Sequence, residues 1–148
     1  YFIVWGGFSA AAALAQWGLH QGAWLSSGMS VTSARIAGII LIAAGAYQLT
    51  PAKNACLRQC QSPLGFLMAN WSNGAKGALQ MGIRHGLYCL GCCWALMCVL
   101  FVVGVMNLVW VAALTMFILI EKFGSAGSHI ARLGGLAMIA FGVIAAVR

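Results

Sequence analysis

Acidic residues are nearly missing from this sequence, since Glu121 is the only Asp or Glu among its 148 residues. A single carboxylate excludes paired-carboxylate chemistry and Ser-His-Asp triads within the chain. A cysteine nucleophile, Cys89 with His85 four residues before it, is a weak alternative because no acid orients the histidine. The sequence also has no Gly-rich phosphate-binding loop. We therefore expect no enzymatic activity.

Charge of either sign is scarce as well. Only 6% of the residues are charged and 63% are hydrophobic, whereas soluble domains carry roughly 25% charged residues. Such a chain cannot cover a soluble surface, but lipid favours an apolar exterior. The apolar segments are long and continuous, unlike the alternating strands of membrane barrels, and helices satisfy their own backbone hydrogen bonds. The prediction is an all-α, polytopic transmembrane helix bundle with one domain over residues 1–148.

Five apolar segments predict five spanning helices. They cover about residues 1–19, 34–49, 86–103, 108–120 and 130–147. The second and fourth are shorter than the ~20 residues usually needed to span a bilayer. Gly38 and Gly45 in the second segment permit close approach of another helix. The chain begins at Tyr1 without a Met or a basic leader, so we expect an upstream helix ahead of it.

The polar stretch 51–84 is predicted to hold two short interfacial helices. Thr50-Pro51 and Ser62-Pro63 are each a capping residue followed by a proline suited to a first helical turn. These signals place the short helices at about 51–61 and 63–71. The second is rich in large apolar residues and is suited to a membrane surface.

Basic residues outnumber acids, which gives a net charge of +7. They are scattered singly at segment ends, so we expect no nucleic acid partner and interpret them as markers of cytoplasmic loops. One side of the predicted bundle collects Lys53, Arg58, Lys76, Arg84, Lys122 and Arg132. The other side has only Arg35 and Arg148. This count predicts that the protein lies in the lipid bilayer with the Tyr1 end and the 51–84 loop cytoplasmic.

Cysteine is abundant for a chain of this kind. The six cysteines are Cys56, Cys60, Cys89, Cys92, Cys93 and Cys98. Five fall near the predicted cytoplasmic boundary, where a reducing environment disfavours disulfides and leaves thiols free to bind metal. Cys98 on its own is interpreted as a packing residue, since cysteine is a common small hydrophobe in helical interiors.

One face of the third predicted span carries most of the candidate chemistry. His85, Cys89, Cys92 and Cys93 follow one another at spacings that place them on the same side of a helix. Met81 and Met97 extend that row in both directions. Thiolate and thioether ligands favour Cu(I), and thiolate with imidazole also suits zinc.

A second pair of thiols, Cys56 and Cys60, lies four residues apart on the first short helix. If the two faces converge, then Cys56, Cys60, His85 and Cys89 form a four-ligand site for Cu(I) or zinc. Cys92 and Cys93 would serve as spare ligands or as a second site. A bound cation would neutralise thiolates held close to hydrocarbon.

The other histidines suit simpler roles. His20 is interpreted as a solvated boundary residue, with a pigment or haem ligand as the alternative. His129 is interpreted as a loop residue at the start of the last span.

Two runs resemble a known family. They extend from Tyr47 to Phe66 and from Met81 to Met97, and the segment Gly104-Val-Met-Asn107 fits as well. These runs resemble a bacterial family of predicted metal-binding integral membrane proteins, a Cys- and His-rich family of unknown function. The resemblance implies metal binding through these same Cys and His residues, and a location in the bacterial inner membrane. Members of the family tend to begin with a Met-rich helix ending in Leu-Pro-Ser, which this chain does not show.

A different class of function is also consistent with the sequence. The small-residue stripe at Gly7, Ala11 and Ala15, and the six tryptophans, suit an accessory or scaffold subunit of a larger membrane complex. Such a subunit would contact other membrane proteins, and pigment or lipid, without catalysis of its own. The two hypotheses are compatible with each other.

Overall fold

The protein is all-α, and a computed structural model describes residues 1–26, 30–124 and 126–147. The helices are α1 (Phe2–Gln21), α2 (Ala34–Gln48), α3 (Pro51–Gln61), α4 (Pro63–Ala69), α5 (Gly74–Val103), α6 (Leu108–Phe123) and α7 (Gly127–Val147). No β-strand occurs in these described ranges. Arg148, which the topology prediction counts, falls outside them.

The two short helices are confirmed as α3 and α4. The Thr50 hydroxyl oxygen accepts a hydrogen bond from the Lys53 backbone N–H at 3.3 Å, and Pro51 occupies the first turn. Ser62 is the N-cap residue of α4, although its side chain makes no capping hydrogen bond, and a proline again follows. These capping residues and prolines set where the chain turns away from α2.

Helices α2 and α7 approach each other through glycine. A Cβ atom added at Gly45 would lie 2.5 Å from the backbone oxygen of Gly135, and one added at Gly38 would lie 2.6 Å from that of Gly142. Gly38 and Gly45 are seven residues apart on α2, and Gly135 and Gly142 are seven residues apart on α7. The two contacts therefore lie on one face of each helix, two turns apart. The close packing predicted for Gly38 and Gly45 is confirmed, with α7 as the partner.

Helix α5 lies at the centre of the bundle and packs against α1, α2, α3 and α6. Its buried face contributes Cys92, Cys93 and Leu96 to a core completed by Leu57 from α3 and Ile118 from α6. The face of α5 that carries the candidate metal ligands is therefore also the face that packs against the neighbouring helices.

The expectation of five spanning helices is corrected by the structure. Among the described residues, three helices are long and apolar enough to cross a membrane, namely α1, α5 and α7. Helices α2 and α3 together qualify as a fourth candidate, bent by 65° at their junction. Helix α6 has 16 residues, which corresponds to about 24 Å and falls short of the ~30 Å hydrocarbon core.

A buried ion pair joins the α2–α3 corner to the end of α6. The Lys53 Nζ lies 2.8 Å from Glu121 Oε2, and both side chains are almost completely buried. Gln48 donates to Glu121 Oε1 at 3.1 Å and also accepts from Lys53. Gln61 donates to the backbone oxygen of Glu121 at 2.8 Å. Lys53, which the sequence suggests is a loop charge, instead holds α3 in place.

Candidate metal site

Thiols from two helices meet beside the centre of α5. Cys89, Cys92 and Cys93 are buried, and Cys60 on α3 is half-buried. The sulfur atoms of Cys60 and Cys92 are 3.7 Å apart. A metal with bonds of about 2.3 Å to sulfur, as zinc has, links two sulfurs up to ~4.6 Å apart. This cross-helix pair is therefore within the reach of one soft ion.

The sulfur of Cys89 has two polar neighbours outside the thiol cluster. The Lys122 ammonium donates to Cys89 Sγ at 3.2 Å, and the Tyr1 hydroxyl lies 3.6 Å from the same sulfur. Cys92 and Cys93, one turn further along α5, lie on the same buried part of this helix. Cys89 thus connects the thiol cluster to the ends of α1 and α6.

Two of the α5 thiols are engaged with their own backbone. Cys92 and Cys93 each donate to the carbonyl oxygen of Cys89 at 3.1 Å. With the thiols in these rotamers, the described part of the chain presents no preformed group of three His, Cys, Asp or Glu side chains around a metal position. Loss of the thiol proton ends each donation, so ligation itself frees these side chains to turn.

Cys56 and His85 lie at the edge of this cluster. A Cβ atom added at Gly91 would lie 2.8 Å from Cys56 Sγ, so that sulfur rests directly on the α5 backbone. The His85 ring packs against the rings of Tyr1 and Phe66, with centroids 6.1 and 5.2 Å away. The structure therefore brings Cys60 to Cys92, while the predicted four-ligand set with Cys56 and His85 stays a prediction.

One nitrogen of His85 is available for a ligand. Its Nδ1 atom is buried and has no hydrogen-bond partner among the described residues. His85 also lines an open pocket of about 300 Å³ between α4 and α5, together with Met81 and Leu67. A thioether and an imidazole therefore share this pocket one helical turn from Cys89. Met97, at the other end of the row, packs against the core.

Lys122 is the site residue that sequence reasoning counted only as a loop charge. It stands in the last turn of α6, where the helix dipole favours a cation. Burial by itself would lower the pKa of Lys122, but the negative charge that Cys92 and Cys93 gain when they ionise and the hydrogen bond to Cys89 outweigh it and raise that pKa. The ammonium therefore stays charged beside the thiols. The only sequence signal for this contact is the isolated Glu121-Lys122 pair at the end of an apolar run.

The remaining candidates lie away from the cluster. Cys98 lines a small apolar pocket between α2 and α5, formed with Ile40, Ala44 and Trp94. His20 is exposed in the last turn of α1, and His129 is exposed in the first turn of α7. None of these side chains contributes to the group of thiols around Cys89.

The cluster consists of soft donors with one fixed cation. Two thiolates from among Cys60, Cys89 and Cys92 can replace the water of a soft ion, and Cu(I) and zinc both suit such ligands. Glu121, the only carboxylate in the chain, is committed to Lys53. No acid is left to serve as a base beside the thiols, so the arrangement suits binding of an ion.

Comparison with known proteins agrees with this chemistry. Residues 1–145 match the PpoB2 family, described as copper chaperones. No curated protein and no solved structure matches the chain. The expected resemblance to a metal-binding family is confirmed at the level of a copper-related family, and the match gives zinc and pigment no support. Because the match spans nearly the whole sequence, the chain belongs to the PpoB2 family of copper chaperones.

Proposed function

We propose that this chain is an integral membrane protein that carries Cu(I) on thiolates at the α3–α5 contact. Two thiolates from among Cys60, Cys89 and Cys92 hold the ion at a time, with the third thiol and Cys56, Cys93 and His85 as neighbours able to take over the ion. The copper is cargo, so the site needs to release it as well as bind it. The observation that carries the proposal is the 3.7 Å approach of Cys60 Sγ to Cys92 Sγ, within a family described as copper chaperones.

The membrane part of the proposal is supported by apolar exposure. Phe2, Met68, Phe123 and Val147 are each more than 80% exposed, and α1 buries no residue at all. Soluble monomers rarely expose apolar surface on this scale, whereas lipid solvates it. We propose the bacterial inner membrane as the location. The Tyr1 end and the α3–α4 segment, which both contact the thiol region of α5, would face the cytoplasm.

Binding is an exchange of protons for metal. Two thiols release two protons when one Cu(I) ion binds, which leaves a complex with one negative charge. Neither sulfur changes oxidation state. The pocket at Met81 and His85 supplies a route from the protein surface to the thiols. A soft ion can pass from the thioether to the imidazole, and from His85 to the Cys89 thiolate one helical turn further along.

Delivery implies a partner that takes the ion. A chaperone hands its cargo to another protein, so we propose that the accessory-subunit hypothesis and the copper hypothesis describe one function. The exposed pocket at Met81 and His85 is the accessible edge of the thiol region. A recipient with soft ligands of its own would dock at this edge.

The direct test is a Cu(I) titration of reduced, detergent-solubilised protein under anaerobic conditions, in competition with a coloured Cu(I) chelator. The wild-type chain is expected to take about one tightly bound ion. The double variant Cys60→Ser/Cys92→Ser is expected to lose that ion, because a hydroxyl is a poor ligand for Cu(I).

Cys98→Ser provides the matched control, since it makes the same change on the same helix away from the cluster. It is expected to bind copper as the wild type does. Wild-type copper binding by the Cys60→Ser/Cys92→Ser variant would refute the proposed ligands.

A further inference from the structure

The Lys122 ammonium donates a hydrogen bond to a cysteine sulfur, Cys89 Sγ, at 3.2 Å. Its neighbour in sequence, Glu121, points to Lys53 and Gln48. The backbone oxygen of Glu121 accepts from Gln61. The side chain and the backbone of Glu121 are therefore both held in place, and Lys122, the next residue along α6, is directed toward α5.

Lys53, the buried cation, is already neutralised. Lys53 Nζ contacts both carboxylate oxygens of Glu121, at 2.9 and 2.8 Å. That pair has no net charge. Lys122 consequently brings one uncompensated positive charge to the thiols, and the chain has no second carboxylate to cancel it.

One Cu(I) ion on two thiolates has a net charge of minus one. Beside Lys122 the whole assembly is neutral. A divalent ion such as zinc on the same two thiolates would leave one positive charge next to this lysine. Electrostatic interactions are strong where water is largely excluded, and net charge left in such surroundings is unfavourable.

We propose that Lys122 is a selectivity residue, whose fixed positive charge makes the thiol site favour a monovalent soft ion over a divalent one. The inference rests on the proposed function and adds which ion charge the site accepts. Lys122 acts through charge and needs no direct bond to the metal. The ammonium also remains close to the Cys89 sulfur, so it stabilises a thiolate when the ion leaves for a recipient.

The test compares the Cu(I) and Zn(II) affinities of purified protein, each measured by chelator competition. Two neutral variants, Lys122→Gln and Lys122→Met, are expected to lose about tenfold in Cu(I) affinity while Zn(II) affinity stays level or rises. Lys122→Arg retains the charge and is expected to keep most of the Cu(I) affinity. Lys76→Gln removes an exposed lysine near the start of α5 and serves as the matched control, expected to behave as wild type.

The outcomes separate the two claims. Wild-type protein that takes up no Cu(I) would overturn the proposed function and this inference together. Wild-type uptake with an unchanged ratio of Cu(I) to Zn(II) affinity in either neutral variant would overturn the inference alone. An equal fall for both ions would also overturn it, because damage to the fold weakens every ligand alike. A Lys122→Arg variant as impaired as Lys122→Gln would show that the charge is not the cause.

Discussion

At the scale of single residues, the Lys53–Glu121 pair sets the geometry of the thiols. Lys53 stands one turn before Cys56 and two turns before Cys60 on α3, and Glu121 stands next to Lys122 on α6. A single buried ion pair thus positions both the cross-helix thiol and the cation. Removing one partner of such a pair leaves an uncompensated buried charge.

Glu121→Gln is therefore expected to lower the free energy of unfolding by roughly 3–5 kcal/mol. The double variant Lys53→Met/Glu121→Leu removes both charges and is expected to be closer to wild type than Glu121→Gln. Equilibrium denaturation in detergent, followed by circular dichroism, measures both values. A double variant that is less stable than the single one would contradict this account of the pair.

The sequence indicates which residue types could bind the metal, but not which of them lie together in the fold. The spacing of Cys89, Cys92 and Cys93 on one helix face follows from helical geometry alone, and the structure buries all three together. Whether Cys56 or Cys60 reaches them depends on the direction in which α3 crosses α5, and no local pattern encodes that direction. For the same reason the tertiary contact between Lys122 and Cys89 could not be predicted.

At the scale of helices, the α2–α7 contact depends on missing side chains. The backbone oxygen of Gly135 fills the space that a Cβ at Gly45 would need. Any larger residue forces the two helix backbones apart. Since α3 follows directly from α2, a shift of α2 would also displace Cys60.

Gly45→Ala is expected to lower the free energy of unfolding by about 1–3 kcal/mol, the usual cost of overpacking. Gly6→Ala on α1 is the matched control, because nothing lies within 4 Å of the added methyl group. That control is expected to be neutral or slightly stabilising, since alanine favours helix. Thermal unfolding of the two variants in the same detergent distinguishes them, and equal stability would argue against close α2–α7 packing.

The helices themselves were largely predictable from sequence. The cap at Thr50 and the prolines after Thr50 and Ser62 mark boundaries by local chemistry, and the structure begins helices there. The number of spanning helices was not predictable, because apolar composition does not reveal whether a short helix continues straight into the next one. The 65° bend between α2 and α3 follows the buried pairing of Lys53 on the far side of Thr50-Pro51.

At the scale of the whole molecule, the exposed apolar helices suit the proposed lipid surround. Integral proteins resist alkaline extraction because lipid solvates their apolar surface. The chain is expected to stay in the membrane fraction of expressing bacterial cells after a carbonate wash at high pH. Detergent is expected to release it. Recovery in the alkaline supernatant would contradict membrane insertion.

The central claim is that Cu(I) binds to sulfur at the α3–α5 contact, and copper-edge X-ray absorption of the Cu(I)-loaded protein tests it most directly. The account predicts that the nearest neighbours of copper are two sulfur atoms. It also predicts that this signal disappears in the Cys60→Ser/Cys92→Ser variant and persists in Cys98→Ser. A copper environment made of nitrogen or oxygen alone, or a sulfur signal unchanged in the double variant, would contradict the account.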